Sequence, residues 1–326
     1  MAREMMFGEA IATAIMEEMQ RDSNVVFYGQ NMAMTERDPF VKKFGHDRVR
    51  ITPISETAEL GIAVGAAMTG LRPIVELYMA EFMLVAFDEV INEAPRMRYM
   101  SGGQVKVPCV FKAGFGFAAG WAGQHSNCIY HTMMGIPGLK VAVPSTSADA
   151  KGLMKSAIRD DNPVVYLHHY MLSLDKGEVP DGDYLVPFGV ADVKRAGTDV
   201  TIVATAWMVK KSLAAAEMLA KEGISAEVID PRTLAPLDVK TIVESVRKTG
   251  RLVLVDQAPR HASASIVIAG EVAELGFPYL KAPVKMVTAC DTSVPYSQPM
   301  EYYVLPSEDK IVQAVKSVMV TQAAKA

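Results

Sequence analysis

Residues 51–79 read ITPISETAELGIAVGAAMTGLRPIVELYM, and the fold turns on this stretch. Ser55 has the chemistry of an N-cap, and residues 56–69 are mostly Glu, Ala, Gly, Ile, Val and Met, which reads as a helix. Gly70 marks its end. Residues 72–77 then form a largely apolar run of strand length, continuous rather than alternating, as expected of a strand covered on both faces.

The rhythm repeats outward in both directions. Toward the N-terminus it predicts a helix over 7–20 and a strand over 24–28 that stops at Gly29. Toward the C-terminus it predicts a helix over 82–98, a strand over 107–112, a strand over 140–143, a helix over 147–159 and a strand over 163–167. Residues 172–186, LSLDKGEVPDGDYLV, are acidic, contain Gly and Pro and lack periodicity, so they read as a connector. The alternation restarts with strands at 199–205, 226–229 and 251–256 and helices at 208–222, 238–249, 263–275 and 308–319. Strands joined by helices of this length make parallel sheets covered on both faces. The expected architecture is α/β, with two doubly wound domains over residues 1–180 and 181–326, and a chain of 326 residues suits two cores.

Composition removes several classes of function. A formal net charge of −4, with acids and bases interspersed, leaves no basic footprint for a phosphate backbone or an anionic membrane. Three widely spaced cysteines, Cys109, Cys128 and Cys290, make neither a disulfide framework nor a tetrahedral metal site and fit a reducing cytoplasm. The first 20 residues are interrupted by Glu4, Glu9, Glu17 and Glu18, unlike a secretory leader. The most apolar stretch, near residues 60–68, falls far short of the roughly 20 residues that span a bilayer.

Four places could carry chemistry. Glu56 stands in the first turn of the helix at 56–69, where an acid can simply complement the helix dipole. The spacing of Gly61, Gly65 and Ala66 allows close packing, so the helix is expected to be buried and its entrance carboxylate desolvated, raised in pKa and able to share a proton with a ligand. The Gly-rich segment 113–125 follows a strand but fails the G-x-G-x-x-G dinucleotide pattern, and leads into Gln124-His125-Ser126. His125 can be read as a packed core histidine or as a site residue. Asp181-Gly182-Asp183 reads as a turn. His168 and His169 point to opposite faces of one strand, and one exposed and one packed ring is the expected outcome.

Taken together, Thr52-Pro-Ile-Ser-Glu56, Gly70-Leu-Arg-Pro73, Tyr99-Met-Ser-Gly-Gly103, Gln124-His-Ser126, Pro137-Gly-Leu-Lys140 and Asp149-Ala-Lys-Gly-Leu153 resemble the β subunit of the thiamine diphosphate-dependent first component of 2-oxoacid dehydrogenase complexes. Ala157-Ile-Arg-Asp160, Asp230-Pro-Arg-Thr233 and Pro236-Leu-Asp238 extend the resemblance across nearly the whole chain, in order. Arg3, the loop Gly116-Phe-Ala-Ala119, Pro259-Arg260 and Asp291-Thr-Ser-Val-Pro-Tyr-Ser297 resemble the pyruvate and acetoin dehydrogenase branch, acetoin dehydrogenase in particular.

The resemblance implies a transketolase-like pyrimidine-binding domain followed by a transketolase C-terminal domain. It implies a β subunit of a pyruvate or acetoin dehydrogenase in an α2β2 heterotetramer, which passes an acyl unit to a lipoyl-bearing acyltransferase. The α partner would hold Mg2+ and the diphosphate through a Gly-Asp-Gly motif that this chain lacks. Glu56 would hydrogen-bond the pyrimidine nitrogen of thiamine diphosphate, Phe82 would stack on the ring, and Gln124 would contact the cofactor. His125 would serve intermediates and acyl transfer. A K+ ion would lie on main-chain carbonyls near Cys109, Ala157, Asp160 and Asn162. By residue type alone, an ordinary core phenylalanine is the favoured reading of Phe82.

The chain departs from the family pattern at several positions. Gly29-Gln30-Asn31 replaces the usual Gly-Glu-Asp, and the loop over 32–47 is short. Ile51 stands for an Asp, Gly135 for a His and His168 for a Glu. Two other readings stay open: a split transketolase-type synthase or ligase without lipoyl chemistry, and a non-catalytic scaffold that keeps the fold.

Overall fold

The structure is a computed structural model that describes residues 2–30 and 38–320; Asn31 and part of the short loop lie outside them. The chain forms two compact units, Met1–Phe115 with Thr132–Phe188, and Gly116–His131 with Gly189–Ala326.

In the first unit the strands are β1 (Ala2–Met6), β2 (Val25–Gly29), β3 (Val49–Ile51), β4 (Arg72–Met79), β5 (Val110–Phe115), β6 (Lys140–Ala142), β7 (Val164–His169) and β8 (Lys176–Pro180). Six of them make an all-parallel sheet in the order β6-β7-β5-β4-β2-β3. Helix α1 (Phe7–Arg21) packs on α3 (Ser147–Arg159), and α2 (Glu56–Met68) turns Leu60, Ala63, Val64 and Ala67 inward. Gly29 is required where β2 meets β4, because a Cβ there would lie 2.1 Å from the Glu76 carbonyl oxygen.

Charges tie α1 to α3 beneath the surface. Arg159 grips Glu18 with two hydrogen bonds, at 3.0 and 2.7 Å, and Lys155 meets Glu17 at 2.9 Å. Asp183, in the turn at 181–183, closes the network on Lys155 at 2.5 Å and Arg159 at 2.7 Å. The Asp-Gly-Asp turn is therefore a clasp that pairs buried cations which alone would be costly.

Three expectations change. The helix expected over 82–98 is a 3₁₀ turn (Ala80–Leu84), then a π-helical turn (Glu89–Glu93), then an α-helix (Ala94–Met100). Pro95 lacks the N–H that an uninterrupted α-helix needs, and the wider turn just before it absorbs the mismatch. The strand expected over 107–112 runs from Val110 to Phe115. The connector holds β8, which pairs antiparallel with β1 as a two-stranded ribbon; its half-exposed KGEVP carries no apolar periodicity.

In the second unit a five-stranded sheet is built from β9 (Asp192–Arg195), β10 (Val200–Ala204), β11 (Ala226–Asp230), β12 (Leu252–Pro259) and β13 (Lys285–Ala289), in the order β13-β12-β10-β11-β9. All are parallel except the edge strand β9. Val203, Leu252 and Leu254 pack with Ile242 and Val246 of α5 (Val239–Thr249) and Ile268 and Val272 of α6 (Ala264–Leu275). Strand alternation sends Ile202 and Val253 to the other face, which α4 (Trp207–Ala220) and α8 (Glu308–Met319) cover. Among the described residues no helix is long and apolar enough to cross a membrane.

Candidate active site

Because the six strands of the first unit's main sheet are parallel, their carboxyl ends share one edge, where α/β sheets take ligands. There β2 delivers Gln30, β3 leads through Thr52 into α2 at Glu56, and β4 leads into Phe82. Glu56 is the first residue of α2 and only 9 % exposed. Its Oε1 accepts from Gln30 Nε2 at 3.0 Å, and the same nitrogen reaches Glu59 Oε2 at 3.1 Å. Thr52 Oγ1 donates to Glu59 Oε1 at 2.6 Å. Burial pushes the Glu59 carboxyl above its ordinary range, hydrogen bonds from Thr52, Gln30 and the Ser55 backbone oppose this, and the Glu56 charge adds to it. The desolvated acid one turn into the helix is a feature the sequence reading misses. Phe82 lies half-buried in the 3₁₀ turn after β4.

α2 is not buried as expected. Gly65 has nothing among the described residues within 4 Å of where a Cβ would sit, and Ile62 on the same face is 59 % exposed. Among the described residues the small-residue spacing leaves an apolar face open rather than filling a core.

The residues named for a cation come together at the opposite, amino edge of the sheet. Ala157 lies in the last turn of α3 and Asp160 and Asn162 in the turn between α3 and β7, and the Cys109 carbonyl pairs with Val164 at the start of β7 at 2.9 Å. Arg72 Nη1 donates to the carbonyls of Ile158 and Asp160, both at 3.0 Å. Neither histidine of β7 is exposed. His169 is fully buried, its Nδ1 accepting from Met171 N at 3.1 Å. Burial, with Lys112 nearby, drives His168 well below the usual imidazole range.

In the second unit, the Gly-rich segment carries exposed Gln124, half-buried His125 and buried Ser126, whose hydroxyl has no hydrogen-bond partner among the described residues. Ala118 and Ala122 sit at φ of 76° and 59°, a left-handed conformation that costs an L-residue about 1–2 kcal/mol. Glu301, fully buried on α7 (Gln298–Val304), accepts from Ala118 N at 2.6 Å and Gly120 N at 3.2 Å. At the far end Tyr130 donates a very short hydrogen bond to fully buried Asp256, which also accepts from Ser263 Oγ at 2.6 Å and Ala258 N at 3.1 Å. Neither carboxylate stands out in sequence, since Glu301 lies in a Pro-punctuated tail and Asp256 in an apolar strand.

Among the described residues no three His, Cys, Asp or Glu side chains are placed to hold a metal ion. The geometry thus offers a buried acid pair joined by an amide on one unit and an imidazole on a clamped loop on the other.

Residues 3–172 match the family Transketolase, pyrimidine binding domain, and residues 189–311 match Transketolase, C-terminal domain. The acetoin:2,6-dichlorophenolindophenol oxidoreductase subunit beta of Cupriavidus necator is 44 % identical over 98 % of this chain and 98 % of its own length. The chain belongs to the transketolase-like β-subunit family of pyruvate and acetoin dehydrogenases. Within this family the pyruvate dehydrogenase E1 component subunit beta of Rickettsia conorii is also 44 % identical, over 95 % of this chain and 97 % of its own. A solved split-gene transketolase, described as an inactive β4 tetramer, shares the family fold with a TM-score of 0.81 and 26 % identity over 97 % of this chain and 98 % of its own.

Proposed function

We propose that this chain is the β subunit of a thiamine diphosphate-dependent pyruvate or acetoin dehydrogenase that passes an acyl unit to a lipoyl group. The observation that carries this is Glu56, nearly buried at the mouth of α2 and tied through Gln30 to the raised carboxyl of Glu59. Dehydrogenase β subunits at 44 % identity, against 26 % for the split transketolase, favour this over a synthase without lipoyl chemistry.

The residues present fit a polar aromatic cofactor. On the first unit Glu56 supplies a carboxyl for a ring nitrogen and Phe82 a half-buried aromatic face. When bound, thiamine diphosphate supplies a carbanion equivalent that adds to a carbonyl carbon. Glu56 would present its carboxyl to the ring nitrogen, and Gln30, hydrogen-bonded to Oε1 at 3.0 Å, would keep that carboxyl in place. Glu59, raised by burial, stands one turn away as a second proton store. Gln124 would contact the cofactor, and His125 would stabilise or protonate intermediates and serve transfer of the acyl unit to the lipoyl group.

An α subunit in an α2β2 assembly holds Mg2+ and the diphosphate. The open apolar face of α2 supports such an association, as does the description of the related split transketolase as inactive when it is β4. K+ bound at the carbonyls of Cys109, Ala157, Asp160 and Asn162 would brace the turn already gripped by Arg72. A cytoplasmic location agrees with three free cysteines. Calorimetric titration of thiamine diphosphate with Mg2+ into the chain, alone and with its α partner, tests the reading. Tight binding only with the partner is expected; no binding in either case contradicts it.

A further inference from the structure

The segment that carries His125 is gripped at both ends by buried carboxylates to which the proposed reaction gives no part. Positive φ recurs at alternate residues, Gly116 (105°), Ala118 (76°), Gly120 (74°) and Ala122 (59°). Such alternation turns successive backbone N–H groups into one concavity that suits an anion. The anion here is internal, the Glu301 carboxylate, one oxygen to Ala118 N at 2.6 Å and the other to Gly120 N at 3.2 Å. Among the described residues no lysine, arginine or histidine pairs with Glu301, so these dipoles are what the structure offers its buried charge. Ten residues after Gly120, Tyr130 is pinned by Asp256. His125 lies midway on a span fixed at both ends.

We propose that Glu301 is a positioning residue for His125. Its carboxylate holds the loop in a conformation that two alanines would otherwise leave, and so sets where the imidazole stands. This rests on the reading that His125 takes part in the reaction. Glutamine at 301 keeps the shape but offers one acceptor and one donor to two N–H donors, so one bond becomes a donor-donor repulsion. The strain at Ala118 is then uncompensated and the loop relaxes, seven residues before the ring that matters. Small misplacements of a reacting group are enough to cost on the order of 10- to 100-fold in rate.

The test is a double-mutant cycle in the reconstituted α/β enzyme, following 2,6-dichlorophenolindophenol reduction with pyruvate and with acetoin. Glu301→Gln is expected to lower kcat about 10-fold or more with KM little changed. In a His125→Ala background it should add almost nothing, since a ring that is absent cannot be misplaced. Glu301→Gln with Ala118→Gly should recover part of the lost kcat, because glycine adopts the positive φ without strain. Losses that multiply, or a Glu301→Gln enzyme with full kcat, overturn the proposal. Histidine-selective NMR of the β chain, with the His125 signal assigned by its loss in His125→Ala, reads position independently of activity. Should His125→Ala retain full activity, the reaction reading fails while the positioning claim is judged by NMR alone. A moved His125 resonance in Glu301→Gln supports it, and an unmoved one overturns it. If Glu301→Gln does not fold, Glu301→Asp, too short to reach both N–H groups, takes its place in every arm.

Discussion

The side-chain amide of Gln30 donates to Glu56 Oε1 across 3.0 Å. The same nitrogen reaches Glu59 Oε2 at 3.1 Å, so one donor separates two acids that would otherwise face each other. Where the family resemblance leads one to expect a third carboxylate, this chain has an amide. Gln30→Glu restores that carboxylate and forces the cluster to share protons. Repulsion raises the apparent pKa of the group, so the acidic limb of the pH–rate profile is expected to move to higher pH, with turnover at neutral pH down about 10-fold. An unmoved profile contradicts the role given to Gln30.

Glu59 links the same cluster to stability. Its carboxyl is raised by burial, so the folded state holds the proton more tightly than the unfolded chain does. Its contribution is fully present below the unfolded carboxylate value and is lost as pH rises through the raised folded one. Glu59→Gln removes that loss. The melting temperature of the variant relative to the native chain is expected to climb with pH across this window, and a flat difference contradicts the assignment.

Asp183 titrates in the opposite direction. Hydrogen bonds from Arg159 and then Lys155 push its carboxyl down to about 2. Stability from the clasp is therefore present above the ordinary carboxylate range and disappears as pH falls toward about 2. Asp183→Asn is expected to melt below the native chain at pH 7, with the gap closing as the medium is acidified. A gap independent of pH would assign the effect to shape rather than charge.

How much was legible depends on which link carried the signal. The βα rhythm was, because each strand is buried on both faces and reads as a continuous apolar run; Val164–His169 lies within two residues of its expected span. The ribbon of β1 with β8 was not, because short half-exposed strands pair through backbone groups that leave no apolar pattern. At the site, Glu56 could be singled out by its place at the start of an unusual helix. Glu59, Asp256 and Glu301 could not, since what distinguishes them is burial and a partner distant in sequence. Nothing local marks 116–131 as belonging with the second unit either, since its anchors lie 126 and more residues away.

The open face of α2 gives a prediction about assembly. Among the described residues nothing occupies the place of a side chain at Gly65, and replacing a helical glycine adds about 1 kcal/mol of helix propensity. Gly65→Leu is expected to melt no lower than the native chain yet to lose co-purification with the α partner. Normal complex formation would show that this face is not where the partner sits.

The central claim is that the Glu56 carboxyl activates a cofactor held jointly with another subunit, and turnover of Glu56→Gln in the reconstituted α/β enzyme tests it most directly. Glutamine keeps the length and the hydrogen bond but cannot exchange the proton, so kcat is expected to fall on the order of 100-fold or more while the melting temperature stays within a few degrees of native. Turnover near that of the native enzyme, with the fold intact, would contradict the account.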